Sequence, residues 1–101
     1  MEPTYELFEI QGSIRQDKFY ITETARQTAA LVGFLDDDIA ECVVDHLQES
    51  HFYKTMPAEK IAGLMQDVYK ITYRGKRLYL KLQINKGGNA VIVSFKEDES
   101  P

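Results

Sequence analysis

The side chains best suited to chemistry in this chain are lysines, arginines and tyrosines in its second half, set at alternate positions among apolar residues. Lys70, Tyr79, Lys81 and Lys96 follow this rule, as do the polar residues Gln66, Thr72, Gln83 and Ser94. Alternation with period two sends all of them to one face of a β-sheet. Cations grouped on one face gain nothing from one another, so the grouping points to an anionic ligand. The competing explanation is a solvated face, which any half-buried antiparallel sheet presents. Against it stands the make-up of the face, which carries several lysines and no acid.

Three predicted strands position these residues: Leu64–Tyr73, Lys76–Asn85 and Ala90–Glu97. Arg74-Gly75 reads as a two-residue hairpin turn, with Gly supplying a positive φ. That turn sets Ile71 opposite Leu78 and Tyr69 opposite Leu80. Lys70 then faces Tyr79, Thr72 faces Arg77, and Gln66 faces Gln83. A slip of one residue would put every side chain on the wrong face. The loop Asn85–Asn89 joins the last two strands. Closed symmetrically, it sets Leu80 opposite Phe95, Leu82 opposite Val93 and Ile84 opposite Val91, with Tyr79 opposite Lys96 and Lys81 opposite Ser94 outside. The expected core face is Tyr69, Ile71, Leu78, Leu80, Leu82, Ile84, Val91, Val93 and Phe95. On the other face the row Lys70–Tyr79–Lys96 crosses three strands, with neighbours about 5 Å apart.

The first half reads as helices around one short strand. A helix capped by Thr4 and running to about Gln16 carries Leu7, Ile10 and Ile14 on one side. Lys18–Thr22 is a strand. Thr22 or Thr24 caps a second helix with Ala25, Ala29 and Val32 inward, stopped at Gly33. Asp36 caps a third, with Ile39, Val43 and Leu47 as its buried stripe. Phe52–Met56 is extended and Pro57 ends it. Helices first and a meander afterwards predict an α+β fold, with helices packed on one face of a mostly antiparallel sheet.

With 101 residues, the chain has room for one domain and one core. The expected division is a mainly helical part over 1–50, a sheet over 51–97 and an acidic tail over 97–101. The net charge of −4 argues at first against a nucleic-acid partner. The sum hides a split. Residues 1–51 hold 11 acids and 3 bases, residues 52–96 hold 9 bases and 2 acids, and Glu97, Asp98 and Glu99 follow. A tail of that charge beside Lys96 is expected to screen the basic face in part. Cys42 is the sole cysteine, which excludes an intrachain disulfide and fits a reducing compartment. No apolar run nears the ~20 residues needed to span a bilayer. Met1-Glu2-Pro3-Thr4 lacks the pattern of a signal peptide. A cytoplasmic location follows as the expectation.

Four blocks in the basic half carry a resemblance. They are His51-Phe52-Tyr53-Lys54-Thr55-Met56, Met65-Gln66-Asp67-Val68-Tyr69, Leu78-Tyr79-Leu80-Lys81 and Val91-Ile92-Val93-Ser94-Phe95-Lys96-Glu97. In this order and spacing they resemble the MqsR family of type II toxin–antitoxin toxins, mRNA interferases with a RelE-like fold. The resemblance implies an endoribonuclease that acts on mRNA, needs no metal or other cofactor, inhibits translation and is neutralised by a cognate antitoxin. It places Lys54 on the family's catalytic lysine, Gln66 on the glutamine before the Asp-Val-Tyr motif, Tyr79 on the tyrosine of the third block and Lys96 on the lysine of the last. Met65 stands where an aromatic residue often sits.

Such groups can assist attack of an RNA 2′-hydroxyl on the adjacent phosphate, which needs one proton removed, another supplied, and charge stabilised on the phosphorane. No histidine falls on the face, and a lysine among cations can serve as base. The roles expected are activation of the 2′-hydroxyl by Lys54 or Tyr79, charge stabilisation by Lys96 and orientation by Gln66. Lys70, Arg74, Lys76, Arg77 and Lys81 are candidate RNA contacts, each adding salt dependence. The alternative function is a non-catalytic RNA- or protein-binding domain of the same fold, and the bland one a purely structural domain.

Other residues invite readings of their own. His46 is expected at a helix boundary, and His51 could approach the site. Cys42 is expected as a small core residue, and Tyr5, Tyr20, Tyr53 and Tyr73 as core or rim aromatics. Consecutive carboxylates splay apart on a helix, so Asp36-Asp37-Asp38 reads as a dipole-favoured helix start rather than a metal site.

Overall fold

A computed structural model describes residues 1–101. Nine residues, Leu7–Arg15, form α1. So short a helix is marginal alone and depends on packing. Leu7, Ile10 and Ile14 are buried on one side of it. Gln11 Nε2 donates to the carbonyls of Val43 and Leu47 at 2.9 and 3.1 Å, tying α1 to the end of the third helix. Thr4 is not its cap. The helix begins after Glu6 without a side-chain cap, because the chain before it is held by Asp67 on the sheet. The Asp67 carboxylate accepts the N–H groups of Thr4 and Tyr5, each at 2.9 Å. Asp67 is fully buried, and these bonds offset the cost of burying its charge.

Strand β1 is Phe19–Ile21 and helix α2 is Glu23–Leu31. Thr22 caps α2 by accepting the Ala25 N–H at 3.1 Å. Gly33, at φ +90°, takes the left-handed conformation that stops the helix. Helix α3 is Asp36–Glu41, running on as a π-turn over Cys42–His46. Leu35 rather than Asp36 is its N-cap residue, and Asp38 Oδ2 accepts the Leu35 N–H at 2.9 Å. The π-turn is closed by Leu47 N–H to Cys42 O at 2.9 Å, and Ile39, Val43 and Leu47 all stay in the core.

Strands β2 (Phe52–Pro57), β3 (Met65–Tyr73), β4 (Lys76–Ile84) and β5 (Ala90–Glu97) complete a five-stranded sheet in the order β1-β5-β4-β3-β2. Only the β1–β5 pair is parallel. This is the expected α+β layout, consistent with a RelE-like fold. Arg74 and Gly75 sit at φ 49° and 79°, the two positive angles of a type I′ hairpin. That turn fixes the β3–β4 register as predicted, with Lys70 opposite Tyr79, Ile71 opposite Leu78 and Thr72 opposite Arg77.

The second hairpin departs from symmetric closure. Tyr79 pairs with Lys96, Leu80 with Phe95 and Lys81 with Ser94, as expected. Beyond them the register shifts, and Leu82 meets Ile92 rather than Val93 while Ile84 meets Ala90 rather than Val91. A β-bulge at Val93 is the physical reason, since one extra residue reverses the facing of all that precede it. Ile92 and Ala90 therefore enter the core, and Val91 and Val93 are only half-buried. The core lies between the helices and the inner face of the sheet: Tyr69, Ile71, Leu78, Leu80, Leu82, Ile92 and Phe95 meet Ile10, Ile14, Ala25, Ala29, Ile39 and Val43.

Candidate functional site

The outer face of the sheet carries two rows of side chains built by register. The first follows from the β3–β4–β5 pairing, which lines up Lys70, Tyr79 and Lys96. The second lines up Lys54, Val68, Lys81 and Ser94 on β2 to β5. Lys54 reaches this face because of a second bulge. Phe52 pairs with Tyr69 on the core side, and the register then shifts so that Lys54 pairs with Val68. In a regular strand Lys54 would share the facing of Phe52 and point into the core. The extra residue, Tyr53, turns both itself and Lys54 outward.

Tyr53 thereby extends the first row. Lys70 Nζ lies 4.1 Å from its ring centroid and Lys54 Nζ 5.7 Å. Lys96 Nζ lies 5.2 Å from the Tyr79 ring. The row across β2, β3, β4 and β5 alternates phenol and ammonium: Tyr53, Lys70, Tyr79, Lys96. Cation–π contacts of this kind hold the ammonium groups over the rings without neutralising them. Val68 is fully buried beneath the site although it faces away from the helices. The sequence gives no sign of that, since a valine on a polar face looks exposed.

Gln66 sits at the far end of the same face, where its Nε2 donates to Gln83 Oε1 at 3.2 Å. This leaves Gln66 Oε1 free to accept. Gln83 was expected outside and faces outward, yet it is almost wholly covered. Burial raises the pKa of Tyr79 above the ordinary tyrosine value, with further increments from Tyr53 and Asp98. Its hydroxyl therefore keeps its proton at neutral pH.

The ion pairs of the molecule leave Lys54, Lys81 and Lys96 without an acidic partner. Lys70 has one, as Asp98 Oδ2 lies 3.5 Å away. Arg77 is on the outer face beside Lys70 and also approaches Asp98, at 3.9 Å. Lys76 is exposed at the hairpin tip on the opposite facing. Arg74 turns toward α3. Its guanidinium donates to Asp38 at 2.7 Å and to Glu41 at 3.0 and 3.1 Å, and it stacks 4.9 Å from the Tyr73 ring. The Leu35 N–H and Arg74 lower the pKa of Asp38, and the Tyr73 hydroxyl and Arg74 lower that of Glu41.

The remaining candidates have structural places. Asp36 accepts from Arg26 at 2.9 and 3.0 Å. His46 lies against the Tyr73 ring, with centroids 5.0 Å apart, and near Glu41 at 3.6 Å. Cys42 is buried, and burial pushes its thiol up to about 12, which keeps it protonated and inert. His51 Nδ1 accepts the Gln48 N–H at 2.9 Å, and its ring edges a cleft shared with Lys70, Thr72 and Arg77. Tyr53 is the member of the site that sequence reasoning missed. The signal available was its place next to Lys54, but without the bulge the two point to opposite faces.

No helix is long and apolar enough to cross a membrane. Comparison with curated protein sequences finds no match. A family model described as "Motility quorum-sensing regulator, toxin of MqsA" matches residues 2–97. That span takes in every helix, every strand and the whole outer face, and the chain accordingly belongs to the MqsR toxin family, whose members are toxins of toxin–antitoxin pairs.

Proposed function

We propose that the outer face binds single-stranded mRNA and cleaves it, and that a cognate antitoxin, MqsA-like or another, restrains this activity in the cytoplasm. The observation that carries the reading is the alternating row Tyr53–Lys70–Tyr79–Lys96, with Lys54 turned onto the same face by a bulge. Phenol rings offer stacking surfaces to unpaired bases, and ammonium groups between them meet phosphates. Lys81 adds a phosphate contact from the second row, and Lys70 and Arg77 add others toward the hairpin tip, while Lys76 lies on the opposite facing. Arg74, already held by two acids, is left out of the interface.

The reaction is attack of the ribose 2′-hydroxyl on the adjacent phosphorus. Lys54, reacting as the free amine after giving its own proton to solvent, accepts the hydroxyl proton as the O2′–P bond forms. Lys96 stabilises the charge that develops on the non-bridging oxygens. Tyr79, which keeps its proton, gives it to the 5′-oxygen as the P–O5′ bond breaks. Gln66, fixed by Gln83, presents its free oxygen to orient the 2′-hydroxyl. The products are a 2′,3′-cyclic phosphate and a 5′-hydroxyl, and no group from a metal or cofactor enters the balance.

The test is a single-turnover assay on single-stranded RNA. Lys54→Ala and Tyr79→Phe should each slow cleavage by roughly 10²-fold or more, the usual worth of a positioned acid or base, with melting temperatures unchanged. If both variants cut like the parent, the assignment of roles is wrong. RNA binding with no cleavage by the parent would return the chain to the non-catalytic alternative.

A further inference from the structure

The residues after Glu97 continue the sheet and then fold back on it. Asp98 N–H donates to Arg77 O at 2.8 Å, one step past the Leu78–Glu97 pair of the β4–β5 ladder. Asp98 Oδ1 then accepts both the Ser100 N–H at 3.2 Å and the Ser100 hydroxyl at 2.7 Å. This local turn leaves Oδ2 facing Lys70 at 3.5 Å and Arg77 at 3.9 Å. Ser100 makes the same two partners its own. Lys70 Nζ donates to its Oγ at 3.2 Å, and Arg77 donates to its carbonyl at 3.1 Å. The Asp98 side chain is only 8% exposed, against 59% for Arg77.

Asp98 stands where two clefts meet. One, of about 550 Å³, has Tyr79 and Lys96 on its wall. The other, of about 390 Å³, has His51, Lys70, Thr72 and Arg77. RNA running along the alternating row from Lys96 past Tyr79 to Lys70 would have to cross this carboxylate. The contacts of the carboxylate are looser than its position suggests. Charge-assisted hydrogen bonds close to about 2.7–2.9 Å, and both Oδ2 contacts are longer. An ammonium and a guanidinium converging on one anionic oxygen are the groups that bind phosphate in nucleic-acid complexes, and a phosphate offers them more oxygens than a carboxylate. The family match ends at Glu97, so the docked segment lies outside it.

We propose that Lys70 and Arg77 form a second phosphate subsite beside the Tyr79–Lys96 pair, and that the Asp98 carboxylate occupies it until RNA displaces the tail. The proposal rests on the RNA reading above and deepens it. The tail is then a built-in competitor, and it sets the RNA concentration at which the face fills.

Binding of an uncleavable 2′-O-methyl oligoribonucleotide, followed by fluorescence anisotropy at low salt with the full chain, tests this directly. Asp98→Asn keeps the oxygen that Ser100 uses and removes only the charge. It should tighten binding about three- to fivefold, the ratio that an ion pair with one solvent-exposed partner can be worth. Glu99→Gln, which removes the same charge one residue along and breaks no ion pair, should change binding less than twofold. In an Arg77→Ala background the gain from Asp98→Asn should shrink. Equal binding by Asp98→Asn and the parent overturns the subsite while leaving the RNA reading intact. Equal tightening by Glu99→Gln also overturns it, since net charge alone would then account for the effect. No binding by any variant overturns the RNA reading and the subsite together.

Discussion

The two faces of the sheet hold cations under opposite conditions. On the helical side Arg26 and Arg74 are met by Asp36, Asp38 and Glu41 at 2.7–3.0 Å. On the outer side Lys54, Lys81 and Lys96 have no acid, and Lys70 shares one loosely with Arg77. The helical side uses the charges of Arg26 and Arg74 to dock elements, so both are neutralised within the fold. The outer face keeps its charge available. Charge that the fold does not consume is what a polyanion can use, and the contrast supports the proposed binding face more clearly than net charge does.

Substitutions can break this contrast, and the largest effect lies inside. Leu80 is fully buried between helices and sheet, so Leu80→Ala should cost about 2–5 kcal/mol of stability. Its neighbour Lys81 points outward, and Lys81→Ala should leave the unfolding midpoint in urea nearly unchanged. Next is Asp67, whose buried carboxylate holds the N–H groups of Thr4 and Tyr5. Asp67→Ala should cost about 2–3 kcal/mol, the range for charged hydrogen bonds lost with their partners left unsatisfied. Amide hydrogen exchange should then show residues 4–7 opening before the rest.

The smallest effect sharpens the comparison most. Arg74→Ala should lower the melting temperature slightly and leave the salt dependence of RNA binding as it was. Lys81→Ala should do the reverse, reducing the slope of log K against log salt by about 0.7, the value for one phosphate contact to a single strand. If Arg74→Ala flattened the slope and Lys81→Ala did not, the division of labour between the faces would be wrong.

Much of this was legible from alternation and turn chemistry. Arg74-Gly75 fixed the first hairpin, and with it the Lys70–Tyr79 pair and the inner facing of Leu78 and Leu80. The loop before β5 allowed Tyr79 to be placed beside Lys96. The failed register of the second hairpin and the unforeseen outward turn of Tyr53 have one cause. A bulge adds a residue without any required residue type, so neither Val93 nor Tyr53 announces it. The first bulge exchanged Val91 and Val93 for Ala90 and Ile92 in the core. The second brought Tyr53 and Lys54 to the outer face together. Thr4 misled for a different reason. It has the chemistry of a helix cap, but a buried carboxylate 63 residues away made a better partner for its backbone.

The central claim is that the outer face cleaves RNA through its own side chains. The most direct measurement is identification of the termini left on single-stranded RNA by the purified full chain in the presence of EDTA. The account predicts a 2′,3′-cyclic phosphate and a 5′-hydroxyl, with no cut at positions carrying a 2′-O-methyl group. A 3′-hydroxyl with a 5′-phosphate, or cleavage that appears only when a divalent cation is restored, would contradict it.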